Sequence, residues 1–142
     1  MLAKSIAVID DDHDLASLFK EALEISGYNV TAFTDSIKAF EHIKINIKKY
    51  ELIISDYRMP SMNGLELCTN LIEFNSELKV ILMSSFIDFE FDIPNFICLH
   101  KPIHISWLLQ IVKDSLAREN TYIMTKVKRK HDVIYNIKPS MF

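Results

Sequence analysis

Polar side chains that could bind a cation or a phosphate group follow short apolar runs at four places in the chain. The clusters are Asp10, Asp11 and Asp12 after the first run, Asp56 after the second, Ser84 and Ser85 after the third, and Lys101 after the fourth. Continuous apolar runs of this length are typical of buried parallel strands. Ligand sites in an open parallel sheet form outside the carboxyl ends of its strands. The sequence therefore predicts that these side chains converge on one pocket.

The residue types in this predicted pocket indicate magnesium and phosphate chemistry. Three or more carboxylates at one sheet edge repel each other and resist ionisation unless a cation lies among them. Mg²⁺ prefers oxygen ligands, keeps some of its waters, and is commonly held by one or two carboxylates together with phosphate oxygens. The ammonium group of Lys101 can pair with a carboxylate or a phosphoryl group, and the hydroxyl of Ser84 can donate to a phosphoryl oxygen.

Strands and helices alternate along the sequence in a pattern that predicts an α/β fold with a doubly wound, five-stranded parallel sheet. The predicted strands are 5–9, 28–33, 51–56, 79–84 and 96–100, and the predicted helices are 14–26, 36–45, 65–74 and 106–118. Gly27 is expected to end the first helix. The predicted inner face of this helix consists of Leu15, Leu18, Phe19, Ala22 and Ile25. The segment 84–95 offers only about two helical turns before Pro94, so we expect a short or missing helix there.

The motifs at the strand ends resemble the receiver domain of response regulators, including the stand-alone regulators of the chemotaxis type. They are Asp10-Asp11, the sequence from Asp56 to Pro60 with Gly64, Ser84, and Lys101-Pro102. The resemblance covers about residues 4–118. It is specific because it joins motifs on four strand ends in the right order. It implies the flavodoxin-like (βα)5 receiver fold and a role in two-component signalling or a phosphorelay.

The resemblance also implies a role for each matched residue. Asp56 would be the phosphoacceptor, receiving a phosphoryl group from a sensor histidine kinase or a phosphotransfer protein and forming an aspartyl phosphate. Asp11 and Asp56 would bind Mg²⁺ directly, with the backbone carbonyl of Arg58 as a third ligand and Asp10 acting partly through water. Ser84 and Lys101 would contact the phosphoryl group. The chain would be a signalling phosphoacceptor and no enzyme beyond Mg²⁺-dependent self-phosphorylation and self-dephosphorylation.

Several of these residues also have plainer interpretations. Asp12 or Asp14 is better suited to cap the first helix than to bind metal, and we leave both outside the metal set. His13 is expected to be an exposed residue of the first turn. Ser84 could bond its own backbone, and the aromatic residues between 86 and 107 are expected to fill the core.

Two features depart from the receiver pattern. Most receivers have Tyr or Phe three residues before the lysine, whereas this chain has Cys98. The interval from Ser84 to Lys101 is also a few residues shorter than usual, in a region that receivers use for output and dimer contacts. The effect of both features on switching stays open, and a dimer is possible.

Composition and charge indicate the number of domains, the state of the cysteines and the expected location of the chain. The chain has 142 residues, enough for one domain, and two cysteines, Cys68 and Cys98, whose spacing fits neither a metal site nor a disulfide framework. No signal peptide or membrane span is evident, so a cytoplasmic location is expected. Residues 1–120 carry 11 Lys and Arg against 18 Asp and Glu, whereas residues 121–142 carry 5 against 1. We therefore divide the chain into a receiver domain, 1–120, and a basic tail, 121–142.

The tail is too short for a helix-turn-helix domain, so no sequence-specific DNA binding is expected. It could be a solvated or disordered end, a docking strand, a dimer arm or a nonspecific phosphate contact. Output would then go through an unknown downstream protein.

Two other functions remain open at this point. A degenerate receiver could act as a phosphorylation-independent interaction module. A magnesium-dependent phosphohydrolase also uses an aspartate nucleophile at a strand end, but it would have a second acid two residues later, where this chain has Arg58.

Overall fold

The fold is a parallel sheet with helices on both faces. The computed structural model describes residues 5–85, 93 and 95–117, together with the backbone of residues 127–128 and 133–135. The strands are β1 (Ser5–Ile9), β2 (Asn29–Phe33), β3 (Tyr50–Asp56), β4 (Lys79–Ser84), β5 (Phe96–His100), β6 (Val127–Lys128) and β7 (Val133–Tyr135). The helices are α1 (His13–Ile25), α2 (Ser36–Ile45), α3 (Gly64–Ile72) and α4 (Ile105–Ala117), and a short 3₁₀ turn occupies Ile47–Lys49.

The sheet has the order β2-β1-β3-β4-β5-β7-β6. Its first five strands pair in parallel, as predicted. β7 pairs antiparallel with β5, and β6 pairs antiparallel with β7. The docking-strand interpretation of the tail therefore agrees with the structure, and the sheet continues two strands beyond the five that the sequence predicted.

Alternate residues of the central strands face two separate hydrophobic cores, because successive side chains of a strand point to opposite faces. Ile6 and Val8 of β1 lie in the core covered by α1 and α4, whereas Ala7 and Ile9 lie in the core covered by α2 and α3. Both faces of β3 are buried, with only Glu51 exposed. This two-sided burial explains why the strands read as continuous apolar runs, and it confirms the doubly wound architecture.

The helix limits follow from local capping. Asp12 caps α1 by accepting from the backbone N–H groups of Asp14 and Leu15, at 2.9 and 3.2 Å. Asp35 caps α2 in the same way. Gly27 follows the end of α1 with φ of 99°, a left-handed conformation that glycine adopts at low cost.

The predicted inner face of α1 was partly wrong. Leu18 is 47% exposed and Ile25 is 81% exposed, whereas Ala16, Phe19 and Leu23 are buried. The buried stripe lies one residue away from the predicted one, because Ala16 and Leu23 are one turn either side of Phe19 and together face the sheet. Leu15 packs at the margin of the core.

The short or missing helix predicted between β4 and β5 falls on residues 86–92 and 94, which lie outside the described residues. Among the described helices, none has both the length and the apolar character needed to cross a bilayer.

Candidate functional site

Three carboxylates meet at the carboxyl edge of the sheet. Asp10 directly follows β1, Asp11 comes next, and Asp56 is the last residue of β3. One oxygen from each lies within 4.8 Å of the others. Asp10 is fully buried and Asp11 is exposed. The side chain of Asp56 is 12% exposed, so a small group can reach its carboxylate from solvent.

Lys101 joins two of these carboxylates. Its Nζ lies 3.0 Å from Oδ1 of Asp56 and 3.4 Å from Oδ2 of Asp10. The residue follows β5 directly, and its backbone N–H donates to the carbonyl of Ser84 at the end of β4, at 2.7 Å. Asp10, Asp56, Ser84 and Lys101 thus come from four neighbouring strands, and the predicted convergence at one edge is confirmed.

Burial and charge act against the ionised form of Asp56. Burial raises the pKa of its carboxyl above the usual value, and Asp10 and Asp11 add to the rise, against the opposing hydrogen bond and charge of Lys101. Burial alone would lower the pKa of Lys101, but its contacts with Asp56 and Asp10 raise it. Lys101 therefore stays protonated, yet its hydrogen bond and charge do not fully offset the effect of burial on Asp56, to which Asp10 and Asp11 add.

In Mg²⁺-free buffer at pH 7, we expect Asp56→Asn to increase the free energy of unfolding. Because burial raises the pKa of Asp56 in the folded state above its ordinary value, the folded state holds its proton to higher pH than the unfolded state. Stability contributed by this group is present below the unfolded pKa and falls as pH rises through the folded pKa. The neutral amide avoids that loss.

The advantage of the variant should shrink as the pH falls and should be largely lost at about pH 4, near the unfolded pKa, where the carboxyl becomes protonated in both states. Urea unfolding of both proteins at pH 7 and at pH 4 measures the difference. A variant less stable than wild type at pH 7 would mean that the Lys101 ion pair outweighs burial and repulsion.

The donor set fits a hard divalent cation. Three carboxylates that approach so closely offer the oxygen ligands that Mg²⁺ prefers, and they leave coordination positions for water or phosphate. Asp11 and Arg58 line one open pocket of about 520 Å³ with Tyr57, Met59, Pro60 and Asn63. Arg58 lies in the loop after β3 and thus borders the same pocket as the exposed acid Asp11.

The loop after β3 is held to the sheet by backbone hydrogen bonds. The N–H of Tyr57 donates to the carbonyl of Met83, and the N–H of Gly64 donates to the carbonyl of Tyr57, both at 2.7 Å. The hydroxyl of Ser36 donates to the carbonyl of Pro60 at 3.0 Å, which ties the same loop to the start of α2. These contacts fix the backbone on the carboxyl side of Asp56.

The contact of Ser36 with the loop was not predicted from the sequence. Asp35 caps α2, whereas the Ser36 side chain is buried against the loop. A small hydroxyl residue directly after the cap carries no pattern that would reveal a contact 24 residues away. The role becomes visible only in three dimensions.

The remaining predicted residues lie as follows. Ser84 is buried at the end of β4, with 2% of its surface exposed, and His13 is an exposed residue in the first turn of α1. Cys98 and Cys68 are both buried as free thiols, as expected. Burial raises the pKa of both thiols, which keeps them neutral. Cys98 therefore acts as a core residue in the middle of β5.

Known proteins match both the sequence and the fold. Residues 6–113 match the sequence profile of the response regulator receiver domain. The response regulator receiver protein CpdR of Brucella abortus is 30% identical over 118 residues, which cover 80% of this chain and 97% of that protein. The two-component response regulator ARR21 of Arabidopsis thaliana is 34% identical over 124 residues, but the match covers 84% of this chain and only 20% of that protein.

Solved structures of receiver domains have the same fold as this chain. The receiver domain of the hybrid histidine kinase CckA is 26% identical with a TM-score of 0.70, covering 79% of this chain and 98% of that one. A CheY-like receiver domain protein from Methanospirillum hungatei, 23% identical, gives a TM-score of 0.74 over 82% of this chain and 95% of that one, and shares the fold. Receiver domains are signalling phosphoacceptors that bind Mg²⁺ in an acidic pocket, and they take phosphoryl groups from histidine kinases or phosphotransfer proteins. The match over residues 6–113 shows that this chain belongs to the response regulator receiver domain family.

Proposed function

We propose that Asp56 accepts a phosphoryl group from the phosphohistidine of a sensor histidine kinase or phosphotransfer protein. The observation that carries the proposal is the carboxylate of Asp56 at the end of a central strand, 3.0 Å from the ammonium of Lys101 and clustered with Asp10 and Asp11. A carboxylate oxygen of Asp56 attacks phosphorus while the bond from phosphorus to the histidine nitrogen breaks. The imidazole leaves with its electron pair and takes up a proton.

Lys101 and Ser84 are proposed to hold the transferred group. Phosphoryl transfer requires alignment and neutralisation of charge more than covalent help from the protein. The ammonium of Lys101 already lies beside Asp56, so it can follow an added phosphoryl oxygen with little movement. The Ser84 hydroxyl is at the end of the neighbouring strand. A hydrogen bond from this hydroxyl to the phosphoryl group would link the phosphorylated site to β4.

Mg²⁺ is the proposed cofactor, with Asp11, Asp56 and the backbone carbonyl of Arg58 as direct ligands and Asp10 acting partly through water. When bound, it would neutralise the acidic cluster and the phosphoryl oxygens together. The close approach of the three carboxylates supports this assignment. The raised pKa of Asp56 agrees with it, because burial and, to a smaller extent, Asp10 and Asp11 disfavour its ionised form. Asp10 would keep its contact with Lys101 and orient the lysine toward Asp56.

Phosphorylation is proposed to switch contacts with a downstream protein. The added charge of about −1.5 to −2 creates new charge-assisted hydrogen bonds at the carboxyl edge of the sheet. Hydrolysis of the aspartyl phosphate by water, at the same site, would reset the switch. The location of the chain, its oligomeric state, its lack of DNA binding and the domain limit at residue 120 stay predictions.

Intact-protein mass spectrometry tests the proposal. The full chain is incubated with acetyl phosphate in Mg²⁺, and in EDTA as the control. One phosphoryl adduct that requires Mg²⁺ supports a phosphoacceptor. Turnover of an external phosphoester would instead support a phosphohydrolase. No adduct across donors and quench times would favour a phosphorylation-independent interaction module.

Asp11→Asn is expected to weaken Mg²⁺ binding by about tenfold or more, because it removes one of the few charged oxygen ligands. Asp12→Asn is the matched control, since Asp12 has the same charge and lies next in the chain but caps α1. Isothermal titration with Mg²⁺ compares the two variants with wild type. Equal affinity in Asp11→Asn and wild type would remove Asp11 from the metal site.

A further inference from the structure

The loop between β3 and α3 contains a strained turn. The N–H of Met62 donates to the carbonyl of Pro60 at 2.8 Å, and Ser61 between them has a φ of 74°. A hydrogen bond between residues two apart, around a central residue of positive φ, is the pattern of the rarer and strained kind of γ-turn. Residues other than glycine seldom adopt such a φ, because Cβ then crowds the backbone. The turn therefore persists only where its surroundings hold it.

A buried serine from another element holds this turn. The hydroxyl of Ser36, the first residue of α2, donates to the same Pro60 carbonyl at 3.0 Å, so that oxygen accepts two hydrogen bonds. Ser36 is 4% exposed, and water has little access to it. Asp35 supplies the cap of α2, which leaves the Ser36 hydroxyl for the loop. The acceptor atom of the turn is thus fixed from outside the loop.

The turn adjoins the pocket that contains two of the proposed metal ligands. Pro60 lines the pocket of about 520 Å³ together with Asp11 and Arg58. Only Met59 separates Arg58 from Pro60 in the chain, so a shift of Pro60 reaches the Arg58 backbone through one residue. On the other side of Arg58, the N–H of Tyr57 is bonded to β4. The Arg58 backbone therefore lies between a fixed point at Tyr57 and the turn at Pro60.

We propose that Ser36 is a positioning residue for Mg²⁺ binding, acting through Pro60 on the backbone of Arg58. Without its hydrogen bond, Ser61 would relax to a negative φ and Pro60 would shift. The loop would then hold the Arg58 carbonyl in the binding position for only a fraction of the time, and the apparent affinity for Mg²⁺ falls by that fraction. The inference rests on the proposed Mg²⁺ site and adds a residue that acts on it from a neighbouring helix.

The rest of the loop should stay in place when this bond is removed. Met59 and Met62, on either side of the turn, pack against the core on the α2 and α3 face of the sheet. The backbone hydrogen bonds of Tyr57 to Met83 and of Gly64 to Tyr57 do not involve Ser36. Alanine is also the best helix former. Ser36→Ala therefore releases the turn without unfolding the loop or α2.

Isothermal titration of the full chain with Mg²⁺ tests the inference. Ser36→Ala should raise the Kd about fivefold, somewhat less than the roughly 10- to 100-fold typical of a residue bonded directly to a metal ligand. Ser115→Ala is the matched control, because Ser115 is a buried serine of α4 whose carbonyl accepts from Lys79 at the opposite end of β4. Its affinity should equal that of wild type. Phosphoryl uptake by Ser36→Ala should be slower at low Mg²⁺ and normal at saturating Mg²⁺, since only binding is affected.

Ser61→Gly tests whether the effect passes through the turn. Glycine adopts positive φ about as readily as negative φ, and Ser61 is exposed, so this change removes the strain without opening a cavity. With Ser61→Gly present, the loop has no reason to leave the turn when the Ser36 bond is lost. Adding Ser36→Ala should then raise the Kd less than about twofold, a non-additive result that independent sites do not give.

The possible outcomes separate this inference from the proposed Mg²⁺ site. Equal affinity in Ser36→Ala and wild type, an equal loss in Ser115→Ala, or the same loss with and without Ser61→Gly would each overturn the role of Ser36 and leave the Mg²⁺ site standing. Wild-type protein that binds no Mg²⁺ would overturn the proposed cofactor and the role of Ser36 together.

Discussion

Asp56→Asn is expected to abolish phosphoryl uptake from acetyl phosphate. A side-chain amide lacks the anionic oxygen that attacks phosphorus, and the other carboxylates of the cluster are placed differently. Asp10 is fully buried and contacts Lys101, whereas Asp11 is exposed and is one of the proposed metal ligands. Among the three carboxylates of the cluster, Asp56 alone combines a partly exposed side chain with a lysine at 3.0 Å. We therefore expect no adduct in this variant at any donor concentration.

The measurement is intact mass after incubation with acetyl phosphate and Mg²⁺, followed by peptide mapping of wild type. Asp12→Asn controls for the loss of one negative charge near the site. Asparagine caps helices about as well as aspartate, so this control should fold and be phosphorylated like wild type. An adduct of equal yield in Asp56→Asn would place the acceptor on another residue and would refute the assignment of Asp56.

The same variant links the chemistry to stability. Asp56→Asn is expected to be inert toward phosphoryl donors but more stable than wild type without Mg²⁺. Loss of reaction in a well-folded, more stable protein cannot be attributed to misfolding. This pair of results would identify the acidic cluster as a functional site that is maintained at a cost to the stability of the fold.

Most of the fold and of the site could be predicted because both depend on local sequence patterns. β1, β4 and β5 have the predicted bounds, since each is an apolar run that ends at a polar residue. Asp10 follows β1, Lys101 follows β5 and Asp56 ends β3, so parallel pairing alone brings the three residues to one edge. The chemistry then follows from residue type.

The features that could not be predicted depend on partners distant in sequence. The exposure of Leu18 and Ile25 is decided by which face of α1 the sheet covers, and helical spacing alone allowed a stripe one residue away. The contact of Ser36 with Pro60 and the pairing of Tyr135 with Cys98 join residues 24 and 37 positions apart. A short β-branched run within a basic tail gives no sign of which strand edge it covers.

Gly64→Ala is expected to destabilise the protein by about 3 kcal/mol, at the upper end of the usual cost of overpacking. Gly64 begins α3, and its N–H donates to Tyr57 at 2.7 Å, which brings its Cα against the end of β3. A Cβ there would overlap the backbone carbonyl oxygen of Asp56 and lie 2.9 Å from Oγ of Ser55. Neither β3 nor the start of α3 can withdraw without breaking the hydrogen bonds that hold the loop.

Substitution of Gly64 should impair the site as well as the fold, because the atom that the new methyl group meets belongs to Asp56, the proposed phosphoacceptor. Folded Gly64→Ala protein is expected to be phosphorylated more slowly than wild type. Gly27→Ala is the matched control, since Gly27 has φ of 99° but no atom within 4 Å of its Cβ position. Its cost is the backbone strain alone, about 1 kcal/mol, with normal phosphorylation. Urea unfolding and adduct formation measure both variants, and equal stability of Gly64→Ala and wild type would contradict the close approach of α3 to Asp56.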